Sequence, residues 1–175
     1  MKQLQFLIKP AAGHCNMRCH YCFYRDEQQN CTDTEDYMMS LATAETLIRR
    51  CFAELDKGGF VSFAFQGGEP TLAGLDFFRF FTQTVQKYNQ KRVTVQYAIQ
   101  TNGLAVTEEW AEFFSKEHFL VGISLDGTPD VHDALRPDAQ GNGTWEKVTQ
   151  TIELLRRCGA VSYTHLRAHE TEADL

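Results

Sequence analysis

The sequence predicts an α/β fold built on a parallel sheet, and two observations support this prediction. Four short apolar runs typical of strands are each followed, after a loop, by a helical pattern. The intervals between successive runs are too long for hairpins, so we expect crossover connections and parallel strands. Either a barrel or an open doubly wound sheet would satisfy this order.

The first strand is predicted at residues 4–8, where apolar side chains alternate with polar or basic ones. A cysteine-rich loop follows it, and the polar, irregular stretch 26–37 predicts further loop. Apolar residues at helical spacing then predict a helix from about Ser40 to Lys57. Gly58 and Gly59 are typical of the end of such a helix.

The second and third strands lie on either side of a second helix. Val61–Phe65 and the alternating run Val93–Ile99 predict the two strands. Between them, the segment from about Leu75 to Tyr88 predicts a helix, because Phe77, Phe78, Phe81, Val85 and Tyr88 fall on one side of it.

The fourth unit completes the predicted order. Thr107 is a candidate cap for a third helix. Phe119–Leu125 is continuously apolar, as expected for a parallel strand covered on both faces. A polar loop through Arg136 and Gly143 then leads to a fourth helix, which begins near Trp145.

A polar cluster stands at the end of each predicted strand. These clusters are the cysteine loop and the segments 66–69, 100–103 and 124–127. Because the carboxyl ends of parallel strands meet at one edge of a sheet, and that edge is where such folds bind ligands, we expect the four clusters to form one site.

The composition limits the classes of function. The chain has 175 residues, 43% of them hydrophobic, and a net charge of -6. Nothing indicates a basic nucleic-acid footprint, and no apolar run approaches the ~20 residues of a membrane span. The N-terminus lacks the pattern of a signal peptide, so we expect a cytoplasmic protein with reduced thiols. Six cysteines in that compartment indicate metal or redox work more than disulfides.

Three of those cysteines, Cys15, Cys19 and Cys22, have x3 and x2 spacing. Cysteine thiolates hold iron–sulfur clusters, and a four-iron cluster with three protein ligands keeps one open coordination position for a substrate. The spacing alone also permits a zinc site completed by His14, His20 or Cys31. A disulfide with one spare thiol is a third possibility at this stage.

The residues around the cysteines resemble a known family. The Cys-x3-Cys-x2-Cys pattern, with Tyr21 inside it and Phe23-Tyr24 after it, is similar to the cluster loop of radical S-adenosylmethionine (SAM) enzymes. Together with Ile8-Lys9-Pro10 before the loop, it resembles the anaerobic sulfatase-maturating branch. The resemblance covers residues 4–160 and implies a TIM-like (β/α)6 partial barrel. Residues 1–160 would be an incomplete radical SAM core, truncated after about four βα units.

The resemblance also implies a set of site residues. Cys15, Cys19 and Cys22 would hold a [4Fe-4S] cluster, and SAM would contact Tyr21, Gln66, Gly68, Glu69, Ser124 and Arg136. Physical chemistry agrees with this assignment, because paired glycines allow close approach of backbone to a ligand and a carboxylate suits an ammonium group. The planar guanidinium of Arg136 would suit the SAM carboxylate. Thr101-Asn102-Gly103 would lie near the ribose or carboxylate of SAM.

The implied reaction is cleavage of SAM to a 5′-deoxyadenosyl radical, which oxidises an active-site Cys or Ser of a sulfatase to Cα-formylglycine. The implied partners are a sulfatase polypeptide and an electron donor such as flavodoxin or ferredoxin. The catalytic base and the auxiliary clusters of the family belong to a C-terminal region absent here, so we expect this chain to be inactive alone. Two alternatives remain open: another radical SAM peptide maturase that cross-links ribosomal peptides, and a non-catalytic zinc-binding domain.

Residues 161–175 break the repeating pattern where a fifth strand is due. The run Val161–Thr171 resembles the translation of a sequencing-library adapter. We therefore expect 161–175 to be a non-native tail, and we exclude His165 and His169 from the candidate ligands.

Overall fold

The structure is a computed structural model that describes residues 2–24 and 38–160, together with the backbone of 162–166. Its strands are β1 Gln3–Ile8, β2 Phe60–Phe65, β3 Thr94–Thr101, β4 Phe119–Leu125 and β5 Ser162–Leu166. Its α-helices are α1 Leu41–Glu54, α2 Leu75–Tyr88, α3 Glu108–Lys116, α4 Pro129–Leu135 and α5 Trp145–Arg157, and a 3-10 helix spans Pro70–Ala73.

The five strands form one sheet in the order β1-β2-β3-β4-β5, and every neighbouring pair is parallel. Spatial order therefore equals chain order. A doubly wound sheet reverses its strand order at a switch point, whereas a barrel wall grows in one direction. The arrangement is that of part of a barrel wall, and it confirms the predicted α/β fold.

The core lies between the sheet and the helices that cover one of its faces. Phe63 and Phe65 of β2 contact Phe81 and Phe78 of α2, with ring centroids 5.2 and 4.8 Å apart. All four rings are at most 1% exposed. Residues of β2 that point the other way, such as Ser62, are only half-buried. The sheet thus has one aromatic face and one face of smaller, more polar residues, with the strand ends at its edge.

Lys91 holds the C-terminal end of α1 from a distant loop. Its ammonium group donates to the carbonyls of Phe52, Ala53 and Leu55 at 3.0, 3.1 and 2.7 Å. The helix ends at Glu54, before the predicted Lys57, and the Lys91 ammonium group satisfies carbonyl groups at its end that a further turn would otherwise bind.

One local expectation was wrong, and one was confirmed only in part. The segment between β4 and the last helix is not loop throughout, because Pro129–Leu135 forms α4. Thr107 occupies the N-cap position of α3, but its side chain makes no capping hydrogen bond. Cys51, on α1, is buried, with 3% of its surface exposed.

Only part of the predicted tail can be compared with the structure. Residues 161 and 167–175 lie outside the described residues, as does the loop predicted at 26–37. The backbone of 162–166 forms β5 beside β4, so a fifth strand occupies the position where the repeating pattern requires one. In the described part of the chain, no helix is both long and apolar enough to span a membrane.

Candidate functional site

A cavity of about 300 Å³ lies at the edge where β1 to β4 end. All nine residues expected at the site line it: Cys15, Cys19, Tyr21, Cys22, Gln66, Gly68, Glu69, Ser124 and Arg136. The four polar clusters therefore converge as predicted. A larger, more open groove of about 790 Å³ runs between β1 and α1, but none of these nine residues lines it.

The cysteine loop is held by a segment more than a hundred residues further along the chain. Arg18 N–H donates to the carbonyl of Pro137, and His20 N–H donates to that of Leu135, both at 2.9 Å. Met17 forms an isolated antiparallel bridge with Asp138. The end of α4 thus fixes the backbone on both sides of Cys19.

The three thiols of this loop lie at or just below the surface of the cavity. Cys19 is 9% exposed, and Cys15 and Cys22 are half-buried. Burial raises the pKa of the Cys15 thiol to about 11, although hydrogen bonds from Met17 N–H and the Asn102 side chain oppose the shift. Burial also raises the pKa of Cys19, against the opposing charge of Arg136. These thiols need a positive partner to exist as thiolates, and a metal centre provides one.

The three cysteine sulfurs suit a metal cluster that is ligated from one side of the cavity. Among the described residues, no three His, Cys, Asp or Glu side chains converge closely enough to hold a single metal ion. The three sulfurs instead border a common cavity, and sulfur is the donor that iron–sulfur clusters take. His14 and His20, considered above as zinc ligands, do not line that cavity, and Cys31 lies outside the described residues.

Gly67 and Gly68 bring the end of β2 against the cysteine loop. Both have positive φ, at +114° and +53°. A Cβ on Gly68 would collide with the backbone carbonyl of His14, while Glu69 N–H donates to that same carbonyl at 2.6 Å. Only glycine permits this combination of left-handed backbone and close approach. The glycine pair therefore sets the distance between the cysteine loop and the segment 66–69.

The Glu69 carboxylate is 1% exposed and joins the end of β2 to the end of β3. Its Oε1 accepts from Thr71 N–H, Thr71 Oγ1 and Thr101 Oγ1 at 3.1, 2.6 and 2.6 Å. Its Oε2 accepts from Asn102 N–H at 2.7 Å. Burial raises the pKa of Glu69, and these four donors act in the opposite direction. One acceptor position on Oε2 remains for a ligand.

Asp126, directly after β4, binds two residues of the predicted site. Its Oδ2 accepts from Arg136 Nε at 2.9 Å and from the Tyr21 hydroxyl. The Arg136 guanidinium also lies over the Tyr21 ring, 5.4 Å from its centroid. Within the described residues, Asp126 Oδ1 is buried without a hydrogen-bond partner. The terminal nitrogens of Arg136 make no hydrogen bond in the same part of the chain, which leaves them available to an anionic ligand.

His132 was assigned no role from the sequence, but its ring connects the backbones of Asp126 and Arg136, the two residues of this ion pair. It is 0% exposed, and its Nδ1 accepts from Asp126 N–H at 3.2 Å, so Nε2 carries the proton. Nε2 lies 3.0 Å from Thr144 Oγ1, which donates to the carbonyl of Arg136 at 2.7 Å. Burial, aided by the charge of Arg136, lowers the pKa of His132 and favours the neutral ring that this arrangement requires.

The half-buried face of the sheet contributes the remaining polar groups. Gln100 Nε2 donates to Ser124 Oγ at 2.9 Å across β3 and β4. Gln66, at the end of β2, lines the same cavity. These uncharged side chains can orient hydroxyl and amide groups of a ligand without adding charge beside the thiols.

Sequence reasoning missed His132 and one of the contacts of Asn102. Asn102 was considered only as a residue near SAM, yet its side chain also contacts the cysteine loop, with Nδ2 lying 3.5 Å from Cys15 Sγ. The signal for His132 was present in the sequence, since Pro129 after Thr128 is typical of a helix start. A helix that begins at Pro129 brings the His132 ring within hydrogen-bond distance of Asp126 N–H.

Comparison with protein families gives an independent result. The model of the radical SAM superfamily matches residues 11–174. The Cysteine-type anaerobic sulfatase-maturating enzyme of Clostridium novyi is 49% identical over 157 residues, which cover 90% of this chain and 41% of that protein. The Serine-type anaerobic sulfatase-maturating enzyme of Klebsiella aerogenes is 34% identical, with 86% and 36% covered.

Solved structures agree with these matches. Native anSMEcpe with bound AdoMet and Cp18Cys peptide superposes with a TM-score of 0.84 at 38% identity, covering 93% of this chain and 42% of that one. Native anSMEcpe with bound AdoMet alone gives the same TM-score of 0.84 and the same identity, with 92% and 43% covered. The chain thus spans about two fifths of the length of the proteins it matches.

Proposed function

Because the chain belongs to the radical SAM superfamily, we propose that Cys15, Cys19 and Cys22 hold a [4Fe-4S] cluster and that the adjoining cavity binds SAM. The observation that carries this proposal is the single cavity bordered by the three sulfurs and all six expected SAM contacts. When bound, the cluster and SAM supply one-electron cleavage of the sulfonium to a 5′-deoxyadenosyl radical; the protein supplies binding, orientation and exclusion of water.

The chain's own residues divide that work. Gly68 permits backbone to approach the ligand, and Glu69 offers its remaining Oε2 position to the SAM ammonium group. The terminal nitrogens of Arg136, which make no hydrogen bond to another described residue, suit the SAM carboxylate, while its Nε stays bound to Asp126. Gln66 and Ser124 supply uncharged hydrogen-bonding groups, and Tyr21 offers an aromatic face beside the adenine.

For the whole protein, we propose oxidation of a sulfatase side chain to Cα-formylglycine. Support comes from relatives named as anaerobic sulfatase-maturating enzymes and from neighbours solved with AdoMet and a peptide. The cysteine-type relatives are 41–49% identical and the serine-type relatives 34%, which favours a cysteine target. A flavodoxin or ferredoxin would supply the electron, and the reaction would take place in the cytoplasm. This chain alone would not turn over substrate as the longer relatives do.

Electron paramagnetic resonance (EPR) tests the central proposal. The chain is reconstituted anaerobically with iron and sulfide, reduced, and measured with and without SAM. We expect a [4Fe-4S]⁺ signal that shifts on addition of SAM, is lost in Cys19→Ala and persists in Cys51→Ala, the matched buried cysteine on α1. One zinc per chain with no acid-labile sulfide would overturn the proposal in favour of a zinc-binding domain.

The substrate class needs a separate measurement. A fluorescent peptide with the sulfatase motif is titrated into the SAM-loaded chain, in versions that carry Cys, Ser or Ala at the target position. Tighter binding of the Cys peptide would support the cysteine-type assignment. Equal binding of all three, or preference for a peptide of unrelated sequence, would favour a different radical SAM peptide maturase.

A further inference from the structure

We propose that Asn102 is a positioning residue whose side-chain N–H donates to the sulfur of Cys15 and thereby raises the reduction potential of the cluster. The inference rests on the proposed function, since it concerns the same cluster. It adds a role for Asn102 in setting how readily the cluster accepts an electron.

The orientation of the Asn102 amide is fixed by its neighbours. Its Oδ1 accepts from Leu104 N–H at 2.9 Å, so the other end of the amide must be the NH₂ group. That group lies 3.5 Å from Cys15 Sγ and 2.7 Å from Asn16 Oδ1. Flipping the amide would place an oxygen against an oxygen and lose the bond to Leu104.

The backbone of Asn102 is equally constrained. Its N–H donates to the buried Oε2 of Glu69 at 2.7 Å, and the residue is 6% exposed. Glu69 is in turn held by the threonines at the ends of the same segments. The Gly-Gly-Glu segment thus determines where the Asn102 amide points, although the Glu69 carboxylate does not itself contact the sulfur.

Few other donors serve this sulfur. Among the described residues, Met17 N–H at 3.4 Å is the second group that donates to Cys15 Sγ. Met17 N–H belongs to the loop itself and moves with it, whereas Asn102 extends from the end of β3. Asn102 is therefore the donor that the sheet, rather than the loop, provides.

A hydrogen bond at this position acts on the two redox states unequally. Reduction adds one electron to the cluster and makes the thiolate sulfur a stronger acceptor. The N–H donor then stabilises the reduced state more than the oxidised state, which raises the potential. Loss of the donor should lower it.

Potentiometric titration monitored by EPR tests the inference in the reconstituted 175-residue chain. Asn102→Ala removes the donor, and Asn102→Asp keeps the acceptor for Leu104 while replacing the donor by an oxygen. We expect about tenfold less reduced cluster at a fixed potential in Asn102→Ala, which corresponds to a midpoint about 59 mV lower for one electron. In Asn102→Asp the shift should be at least as large, because the added negative charge beside the sulfur also opposes reduction. If removal of the side-chain amide in Asn102→Ala prevents folding, Asn102→Asp serves as the second variant.

Asn89 provides the matched control, because its side chain also accepts from one backbone N–H and donates from its NH₂ group, here both with Val93. Asn89→Ala and Asn89→Asp should leave the midpoint unchanged. Midpoints in the Asn102 variants equal to that of the wild type, or equal shifts in the Asn89 variants, would overturn the inference. So would a folded Asn102 variant that holds no cluster. If the wild type holds no cluster, the proposed function itself fails, which is a distinct outcome.

Discussion

Asp126 and Arg136 form a buried ion pair, with 2.9 Å between Oδ2 and Nε and at most 9% of either side chain exposed. The pair connects the end of β4 to the end of α4, and the Tyr21 hydroxyl joins it from the cysteine loop. Removing one partner of a buried pair leaves an uncompensated charge. Asp126→Asn should therefore lower the free energy of unfolding by about 3–5 kcal/mol, measured by urea denaturation.

Glu109→Gln is the control for that variant. It disrupts an ion pair with Arg79 in which the side chains are 64% and 41% exposed. Exposed pairs contribute little, so the loss should be far smaller than for Asp126→Asn. Equal losses in the two variants would contradict the prediction that the buried pair contributes more to stability than the exposed one.

Gly68→Ala should displace the cysteine loop. An alanine in the left-handed region costs about 1–2 kcal/mol, and its Cβ would also collide with the His14 carbonyl. Gly141→Ala is matched, since Gly141 has φ +88° but no heavy atom within 4 Å of an added Cβ. We expect iron content after reconstitution to fall sharply in Gly68→Ala and to stay near that of the wild type in Gly141→Ala. Similar iron contents would contradict the close-approach argument.

His132 predicts a pH dependence of stability. Its pKa is lowered in the folded state, so on acidification below about 6.5 the unfolded chain takes up the proton first. The free energy of unfolding should decrease as pH falls from that point, until the folded form also protonates. His132→Gln should flatten this decrease between about pH 7 and 5 in urea denaturation. At about pH 8, where the ring is neutral in both states, the variant reports only the loss of packing and of the hydrogen bonds to Asp126 and Thr144. An unchanged slope would contradict the prediction.

Lys91 predicts a stability effect far from the site. It donates to three carbonyls at the C-terminal end of α1, where a positive charge is favourable. Lys91→Met should reduce the free energy of unfolding by about 1 kcal/mol. Lys147→Met, at an exposed lysine in the first turn of α5, should have little effect or a slightly favourable one. The opposite ranking would exclude this capping role.

The order of strands and helices could be predicted because its signals are local. The α2 boundaries, Leu75 and Tyr88, follow directly from the phenylalanine stripe and agree with the prediction. By contrast, α4 has seven residues, with His132 alone among them fully buried, so it has no apolar stripe to reveal it. The early end of α1 depends on Lys91, which lies 36 residues beyond Leu55.

For the site, sequence could identify the participants but not their bonds. Glu69 was expected to contact a ligand, and its position at the cavity is consistent with that, yet most of its acceptor capacity serves Thr71, Thr101 and Asn102. Likewise Arg136 lines the cavity, but its Nε is bound to Asp126. Such pairings depend on strand register and on side-chain packing across the sheet, which spacing along the chain does not encode.

The backbone carbonyls that hold the cysteine loop are synthesised long after the loop itself. The carbonyls that hold it belong to Leu135 and Pro137, which leave the ribosome long after Cys22. At about 5–20 residues per second, the delay is roughly 6–23 s. Throughout that interval the three thiols sit on a nascent chain without the α4 segment to fix them. Delivery of iron and sulfide to the proposed cluster site is therefore expected after translation has passed this segment. Until then, the thiols of the emerging chain would have to be kept from oxidation.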